Sequence, residues 1–380
     1  MKKPSIFIVV NSFGRGGAEM SLAILANELV LNNYDVFYIA LWDEKIKYDF
    51  NWLKLNSVNV ITLSSSKNIF KILINYYKLF RIYKPFFIYS AMLKSDIISR
   101  IFSFIFKVPH AVSIRNNPVS YYKKNSFKYI FFFIQAFFQK NIIFLSNKAL
   151  TDFKNSRLSR YNNSKHFVLH NPIINEEEIT KEKLREKLQS LVSKANNLLQ
   201  NNNAFFNLSI VSRLVEGKGI FEILTYLKSD LLSQKFFLKI YGEGPLRENI
   251  MQYILENNLA NNVKLCGFYS NKIEIFNNTD ILIFGSNSEG FGRVPFEALR
   301  FGNMVICNNK SSIIHEFIDL PFLWSTYDSH FNITNYITGL AKLDIENTLN
   351  KLDNLFLSLS PQRNCKNFIT IMNNCINEKL

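Results

Sequence analysis

Short apolar runs alternate with helical stretches along the chain, and this alternation restricts the possible folds more than any other feature. In the first half such runs occur at 5–11, 34–41, 58–63, 85–90, 110–115 and 141–145. In the second half they occur at 207–211, 236–241, 263–268, 280–284 and 303–307. Strands that alternate with helices form parallel, doubly wound sheets. At 380 residues the chain is long enough for two α/β domains of this kind.

A segment of different character separates the two sets of runs. The sequence FVLHNPI at 167–173 closes the first set, and 176–203 has a charged, amphipathic helical pattern that ends in three asparagines. We therefore place a domain boundary near Pro172, which gives an N-terminal domain at 1–172 and a C-terminal domain at 173–360. A further helical pattern occupies the last segment, 361–380.

The positive charge is concentrated in the first half. The chain has a net charge of +15; residues 1–172 contain 24 basic and 8 acidic residues, whereas the rest contains 21 and 22. A basic surface attracts the phosphates of anionic lipids or of nucleic acid, although a solvated face in a lysine-rich chain explains part of the excess. The stretches 97–107 and 126–139 are rich in Phe and Ile and have basic flanks. They predict either core helices or helices that contact a membrane.

Other patterns speak against several classes of protein. No apolar run reaches 18 residues and only six apolar residues follow Met1-Lys-Lys, so neither a transmembrane segment nor a secretory signal is expected. The four cysteines lack Cys-x-x-Cys spacing, so we expect structural thiols in the reducing cytoplasm rather than a zinc site. No Asp-x-Asp metal motif occurs, and no helix-turn-helix, zinc-finger or ribonucleoprotein pattern supports nucleic-acid binding.

The stretch SNSEGFGRVPFEAL, residues 286–299, is the richest candidate for function. It follows an apolar run, and a run that stops at Gly and Ser predicts a buried strand, then a loop, then a helix. Glu289 is expected on the loop and Glu297 on the first turns of the helix, while Gly290 and Gly292 let a ligand approach the backbone. Ligands bind beyond the carboxyl ends of parallel strands, where helix N-termini favour phosphates. The stretch therefore predicts a site for a polyhydroxylated, phosphorylated ligand.

Two further turns have the composition of phosphate-binding loops. SFGRGGAE, residues 12–19, lies between an apolar run and a helical pattern, as phosphate-binding glycine turns do, but it is neither a Walker A sequence nor a dinucleotide fingerprint. SRLVEGKG, residues 212–219, supplies Arg213 and Lys218 between a predicted strand and a predicted helix. Two cations at a strand end can neutralise the diphosphate of a leaving nucleotide.

These motifs together resemble a known family. Glu-Gly-Phe-Gly followed by a second Glu, eight positions after the first, resembles the signature of the retaining glycosyltransferases of family 4. The order Arg-x4-Lys-Gly, Gly-Glu-Gly-Pro, Val-x3-Gly-Phe and paired glutamates matches that family over about 100 residues. The resemblance implies the GT-B fold, in which two Rossmann-like domains face a cleft. It also implies that the C-terminal helix crosses back to the N-terminal domain.

The resemblance further implies a role for each matching residue. Glu289 would orient sugar hydroxyls, Glu297 would hold ribose hydroxyls, and Arg213 and Lys218 would take up the charge of the departing diphosphate. The expected catalytic residues are Glu289, Arg213 and Lys218, and the expected donor-binding residues are Glu297, Gly290, Phe291, Gly292, Gly16, Gly17 and Gly267. Arg115 and Asn116 are the candidates for contact with the acceptor; here the sequence departs from the family, many members of which carry a histidine at the comparable strand end. No cofactor and no metal are expected, because cationic side chains can neutralise the diphosphate.

The expected reaction is the transfer of a sugar, with retention, from a nucleotide-sugar to a hydroxyl of a glycan or lipid-linked glycan. Uridine is preferred over guanosine as the nucleotide only because it is commoner. The basic first half suggests an acceptor at the inner face of a bacterial plasma membrane, in lipopolysaccharide, capsule or exopolysaccharide assembly. Two alternatives remain open, a non-catalytic GT-B-like subunit of a polysaccharide-assembly complex and a nucleotide-sugar epimerase.

Overall fold

The chain divides into two compact units, each built on one parallel sheet. The computed structural model describes residues 3–13, 17–43, 57–116, 138–156, 159, 163–174, 179–200, 204–269, 271–287, 289–309, 324–327 and 332–377. Residues 1–174 together with 358–380 form unit 1, and residues 175–357 form unit 2. The division falls close to Pro172, and the C-terminal segment belongs to unit 1 rather than to the unit that precedes it in the chain.

Seven strands form the sheet of unit 1, in the order β3-β2-β1-β4-β5-β6-β7, and six form that of unit 2, in the order β10-β9-β8-β11-β12-β13. All described neighbours are parallel. The strands are β1 Ser5–Val10, β2 Asp35–Ala40, β3 Asn59–Thr62, β4 Phe87–Ala91, β5 His110–Ile114, β6 Asn141–Phe144, β7 Lys165–Val168, β8 Phe206–Val211, β9 Phe236–Tyr241, β10 Val263–Gly267, β11 Ile281–Phe284, β12 Met304–Asn308 and β13 Trp324–Tyr327.

Helices connect the strands and cover the sheets. In the described residues they are α1 Gly17–Leu31, α2 Ile69–Tyr83, α3 Leu93–Phe106, α4 Asn147–Lys154, α5 Lys181–Leu199, α6 Ile220–Tyr226, α7 Lys228–Leu232, α8 Arg247–Glu256, α9 Lys272–Asn277, α10 Arg293–Arg300, α11 Ile333–Leu340, α12 Ile345–Ser358 and α13 Pro361–Ile376. None of them combines the length and the hydropathy needed to cross a bilayer.

Unit 1 has a helical layer on each face of its sheet. Helices α1 and α13 share one apolar cluster with the sheet, in which the Phe368 ring lies 4.8 Å from the Tyr89 ring. Helices α2 and α3 share a second cluster on Phe7 and its neighbours. The last helix begins sharply because Ser360 accepts a hydrogen bond from the Arg363 N–H and Pro361 occupies the first turn. Coverage on both faces explains why β1 is buried at all six positions.

Helix α3, which forms most of 97–107, has a buried side and an exposed side, so it is a core helix on one side, and contact of the other side with a membrane stays a prediction. Ile98 and Phe102 are buried in the core, whereas Phe104 and Ile105 are exposed. The other Phe-rich stretch, 126–139, lies almost wholly outside the described residues.

Helix α5, which forms most of the charged segment predicted at 176–203, is an integral part of unit 2. Its apolar stripe, which includes Leu184, Leu188 and Leu191, is buried, and the helix packs against α11. Its basic face reaches the start of β11, where Lys194 donates to both carboxylate oxygens of Asp280 at 2.9 and 2.8 Å. That carboxylate also accepts the Asn207 N–H at 2.9 Å. The ion pair therefore ties α5 to the beginning of two neighbouring strands.

The predicted α/β class with two parallel sheets is confirmed. Most predicted strands differ from the observed ones by one or two residues at an end, as expected where only an apolar run marks a strand. Strand β13 was not predicted, because the four residues WSTY contain two hydroxyl side chains and form no apolar run.

Candidate functional site

Loops from four neighbouring strands of unit 2 meet at the carboxyl edge of its sheet. Backbone hydrogen bonds join them: Leu214 N–H donates to Glu243 at 2.9 Å, and Gly242 N–H donates to Gly267 at 2.7 Å. The Asn287 N–H donates to Gly217 at 3.0 Å, which joins the loop after β11 to the loop after β8. The loops that carry the predicted site residues of unit 2 therefore form one continuous surface.

Two glycines make this close approach possible. Gly219 has φ +70°, and a Cβ there would overlap the Gly285 carbonyl oxygen; Gly242 has φ +143° and stands in the same relation to the Ser212 carbonyl. Both positions combine a positive φ with backbone contact, so no other residue fits without moving a loop. The glycines thus set the spacing of the loops after β8, β9 and β11.

Lys218 and Glu289 are brought together at the centre of this edge. The Lys218 ammonium is paired with Oε1 of Glu289, and the same oxygen accepts the Ser286 hydroxyl at 3.1 Å. Both side chains are mostly buried but retain some exposure. The sequence predicted both residues at this site, but it did not indicate that they contact each other.

Glu297 lies near the middle of α10 and is held by two cations. Lys272 donates to its Oε1 at 2.9 Å, and Arg293 lies 3.4 Å from the same oxygen. Among the described residues no donor contacts Oε2. Burial alone would raise the pKa of Glu297, but the charges of Lys272 and Arg293 outweigh it and hold the pKa below its ordinary value. The carboxylate is therefore ionised at neutral pH and keeps one oxygen for a ligand.

Arg213, the other predicted cation, follows β8 on the same edge. Its side chain is exposed and forms no ion pair with any described residue. In contrast to Lys218, it is available to an incoming anion without breaking an existing contact.

The glycines and the phenylalanine predicted to contact the donor have different structural roles: the glycines shape the backbone, and the phenylalanine packs in the core. Gly290 is buried, Gly292 has φ +68° at the start of α10, and Gly267 has φ +73° at the end of β10. Phe291 is buried and stacks on Phe296 at 4.9 Å, so its side chain anchors the loop in the core. A direct contact between Phe291 and a donor stays a prediction.

The predicted residues of unit 1 lie at the carboxyl edge of the other sheet. Arg115 follows β5 and donates from Nη1 to Asn171 at 2.8 Å, which joins the ends of β5 and β7, while its buried Nε has no hydrogen-bond partner. Asn116 follows it. Gly17 is the exposed first residue of α1, and Gly16 lies outside the described residues.

Two residues of the site were missed from the sequence. Arg293 stands four positions before Glu297, and this helical spacing was a signal that could have identified it. Lys272 comes from α9, 25 positions earlier, and only the fold brings it to Glu297. Together the edge offers cations for a diphosphate and carboxylate oxygens for hydroxyl groups, which is the chemistry that a nucleotide-sugar requires.

The known proteins that this chain resembles are glycosyltransferases. Residues 185–338 match the family model described as glycosyl transferases group 1. The chain is 24% identical over 288 residues to an uncharacterized glycosyltransferase of Methanocaldococcus jannaschii, an alignment that covers 72% of this chain and 68% of the relative. It is 27% identical over 267 residues to the capsular polysaccharide biosynthesis glycosyltransferase CapM of Staphylococcus aureus, with 67% and 66% covered. These alignments thus span about two thirds of each relative.

Solved structures resemble the whole chain. The HepE protein of Anabaena, solved with UDP and glucose, has a TM-score of 0.69 at 18% identity, with 98% of each chain covered. A glycosyltransferase of Rickettsia africae has a TM-score of 0.71 at 18% identity, with 99% of each chain covered. At this identity the likeness shows the fold, and that fold is GT-B. The match to the group 1 glycosyltransferase model lies within unit 2 and covers less than half of the chain, so the chain is similar to that family over its second unit.

Proposed function

We propose that the protein transfers a hexosyl-type sugar from a nucleotide-diphosphate donor, a UDP-sugar, to a hydroxyl of a glycan or lipid-linked glycan, with retention. The observation that carries the proposal is the pair of carboxylates at one sheet edge, Glu289 beside Lys218 and Glu297, whose Oε2 has no donor among the described residues. HepE was solved in complex with UDP and glucose, which supports the choice of uridine.

The ion pair between Lys218 and Glu289 exchanges partners when the donor binds. The diphosphate carries more charge than one carboxylate, so Lys218 transfers to it together with Arg213, which has no ion pair within the described part of the chain. Glu289 is then released from its cation and accepts hydrogen bonds from sugar hydroxyls. As the glycosidic bond breaks, negative charge builds on the leaving diphosphate, and both cations stabilise it.

Glu297 binds the ribose. Its Oε1 is occupied by Lys272 and Arg293, so Oε2 accepts the ribose hydroxyls. A carboxylate that is already ionised and fixed by two cations loses little conformational freedom when it binds, which favours affinity.

Retention follows a same-face displacement, in which the acceptor hydroxyl attacks from the side that the diphosphate leaves. A covalent route needs a carboxylate beneath the anomeric carbon, and no residue is assigned to that position. The charge of Arg213 and Lys218 makes a divalent metal unnecessary, so transfer in EDTA is expected to match transfer in Mg²⁺. A one-dimensional proton spectrum of the product, read at the anomeric proton, tests retention.

The acceptor belongs to lipopolysaccharide, capsule or exopolysaccharide assembly at the inner face of the plasma membrane. One relative, 33% identical over 105 residues, is named for transfer to a diphospho-undecaprenol-linked sugar, and CapM is named for capsule biosynthesis. The excess of basic residues in 1–172 suits an anionic membrane surface.

A thermal-shift titration tests the donor site. UDP and UDP-sugars are compared with GDP and GDP-sugars on the wild type, on Glu297→Gln and on Glu256→Gln, an exposed glutamate of the same unit. A ligand that binds only the folded state raises the melting temperature. Stabilisation by the uridine series in the wild type and Glu256→Gln, but not in Glu297→Gln, is expected. No shift with any nucleotide would instead favour the non-catalytic subunit.

A further inference from the structure

Helices α2 and α3 of unit 1 expose an unusual number of large apolar side chains. They include Phe70, Ile74 and Tyr77 on α2 and Ile101, Phe104 and Ile105 on α3, and we call these six residues the α2–α3 surface. Two more residues of α2, Ile69 and Ile82, are also exposed. Phe70 is 75% exposed and Phe104 is 80% exposed. Single exposed apolar residues are ordinary, but stripes on neighbouring helices indicate a binding surface.

The two stripes belong to one face of the unit. Helices α2 and α3 pack against the same side of the sheet, and the Phe80 ring of α2 lies 5.3 Å from Phe102 of α3. The Tyr77 ring of the α2–α3 surface lies 5.6 Å from the ring of Phe106.

On each helix the exposed stripe is separate from the stripe that fills the core. Helix α2 buries Ile72, Tyr76 and Phe80, which recur at helical spacing, and it exposes Phe70 and Ile74 on another side. Phe70 and Ile74 of the α2–α3 surface therefore do not contribute to the core of the unit. A fold that only needed its core would place polar side chains there.

The charges around the α2–α3 surface are of one sign. The exposed basic residues on and beside the two helices include Lys71, Lys78, Arg81, Lys84, Lys94 and Lys107. The only acidic residue between 57 and 116 is Asp96, which is buried and accepts the Ser90 hydroxyl at 2.6 Å. Within 57–116, therefore, no exposed carboxylate compensates the positive charge.

This combination selects one kind of partner. A second copy of the chain would bring the same basic rim against itself, which costs electrostatic energy. An anionic bilayer provides both an apolar interior for Phe and Ile and phosphate groups for Lys and Arg, and aromatic rings favour the headgroup level.

We propose that the α2–α3 surface binds an anionic phospholipid bilayer, with Phe70 and Phe104 at the level of the headgroups and the basic rim on lipid phosphates. The proposal deepens the proposed function, from which it takes the membrane location of the acceptor. It does not depend on the donor site of unit 2.

Vesicle flotation tests the proposal with the full chain. The probes are phosphatidylcholine vesicles and vesicles of equal parts phosphatidylcholine and phosphatidylglycerol. The wild type is expected to float with the anionic vesicles. Phe70→Ser with Phe104→Ser should weaken binding by at least about tenfold, as expected for lost apolar burial. The charge reversal Lys78→Glu with Arg81→Glu should weaken vesicle binding by removing electrostatic attraction, the contribution that salt screens.

The matched control is Met251→Ser with Leu255→Ser, two exposed apolar residues one turn apart on α8 of unit 2. It should bind vesicles as the wild type does. Unchanged binding of both surface variants would overturn the proposal, and so would a wild-type dimer that Phe70→Ser with Phe104→Ser converts to a monomer. The UDP-dependent melting shift, measured on the same variants, separates the two proposals. If UDP does not raise the melting temperature of the wild type, the donor site is refuted, whereas the proposal of vesicle binding is unaffected.

Discussion

Units 1 and 2 share an architecture but place their charges differently. In unit 2 opposite charges are paired at both ends of the strands: Asp280 with Lys194 where β11 begins, and Glu289 with Lys218 where it ends. In unit 1 the described polar core is a chain of hydrogen bonds from His110 through Ser90 to Asp96, and basic residues lie on the outside. The same architecture, a parallel sheet with helices on both faces, therefore carries paired charges at its strand ends in unit 2 and basic residues on its outside in unit 1. The function follows from the loops and outer faces rather than from the fold.

The largest effect is expected on activity, from a substitution at the carboxyl end of β11. Lys218→Ala should lower kcat by about 10²–10³-fold, because it removes a cation that stabilises the leaving diphosphate. Initial rates measured on a saturating UDP-sugar check the effect. Lys264→Ala, an exposed lysine elsewhere in unit 2, serves as the control and should be neutral. A variant with full activity would remove Lys218 from the mechanism.

Asp280→Asn tests the other end of the strand. The carboxylate is 5% exposed, and its loss leaves Lys194 and Lys187 without their common anion. The free energy of unfolding should fall by about 2–3 kcal/mol, less than for a fully buried pair because Lys194 is partly exposed. Urea denaturation measures this change, and the control is Asp353→Asn, which removes the exposed carboxylate of another ion pair in the same unit. If the folded variant also bound UDP more weakly than the wild type, Asp280 would not have a purely structural role, and the distinction between the two ends of β11 would be wrong.

His110 distinguishes the core of unit 1. Burial and the nearby charge of Arg100 lower its pKa from 6.5 to about 3. Below pH 6.5 the unfolded chain binds a proton there and the folded chain does not, so the stability present at neutral pH is lost as pH falls from 6.5 toward 3. The loss should reach about 2 kcal/mol at pH 5. Urea unfolding at pH 7 and pH 5 should show a smaller loss in His110→Gln, which still donates to Ser90. An equal loss in both proteins would show that other groups carry the acid sensitivity.

Lys272→Met should have the smallest effect. UDP affinity should fall by about tenfold, because Oε1 of Glu297 loses its closer cation. Without that charge, burial raises the pKa of Glu297, so UDP binding by the variant should decline as pH falls through a range where the wild type binds normally. Calorimetric titration with UDP at several pH values measures both. A uniform loss at every pH would mean that Lys272 does not act through Glu297.

Much of the fold could be predicted, because strands and helices were marked by local apolar patterns. The candidate site was predicted in part. Glu289, Glu297, Arg213 and Lys218 stand in short motifs at strand ends, and in a parallel sheet those ends share one edge. Lys272 has no such motif, and its contact with Glu297 depends on where α9 packs. The ion pair of Lys218 with Glu289 likewise became visible only when two loops were brought together.

The sequence by itself determined which segments are strands and helices and which residues carry the charge, since both follow from neighbours a few positions apart. The tertiary structure decided which charges meet and which apolar stripes stay exposed. Leu188 on α5 and Phe104 on α3 both belong to apolar helical patterns, yet the first is buried and the second is 80% exposed. The reason is that burial depends on which surfaces pack together, and packing joins residues far apart in the chain.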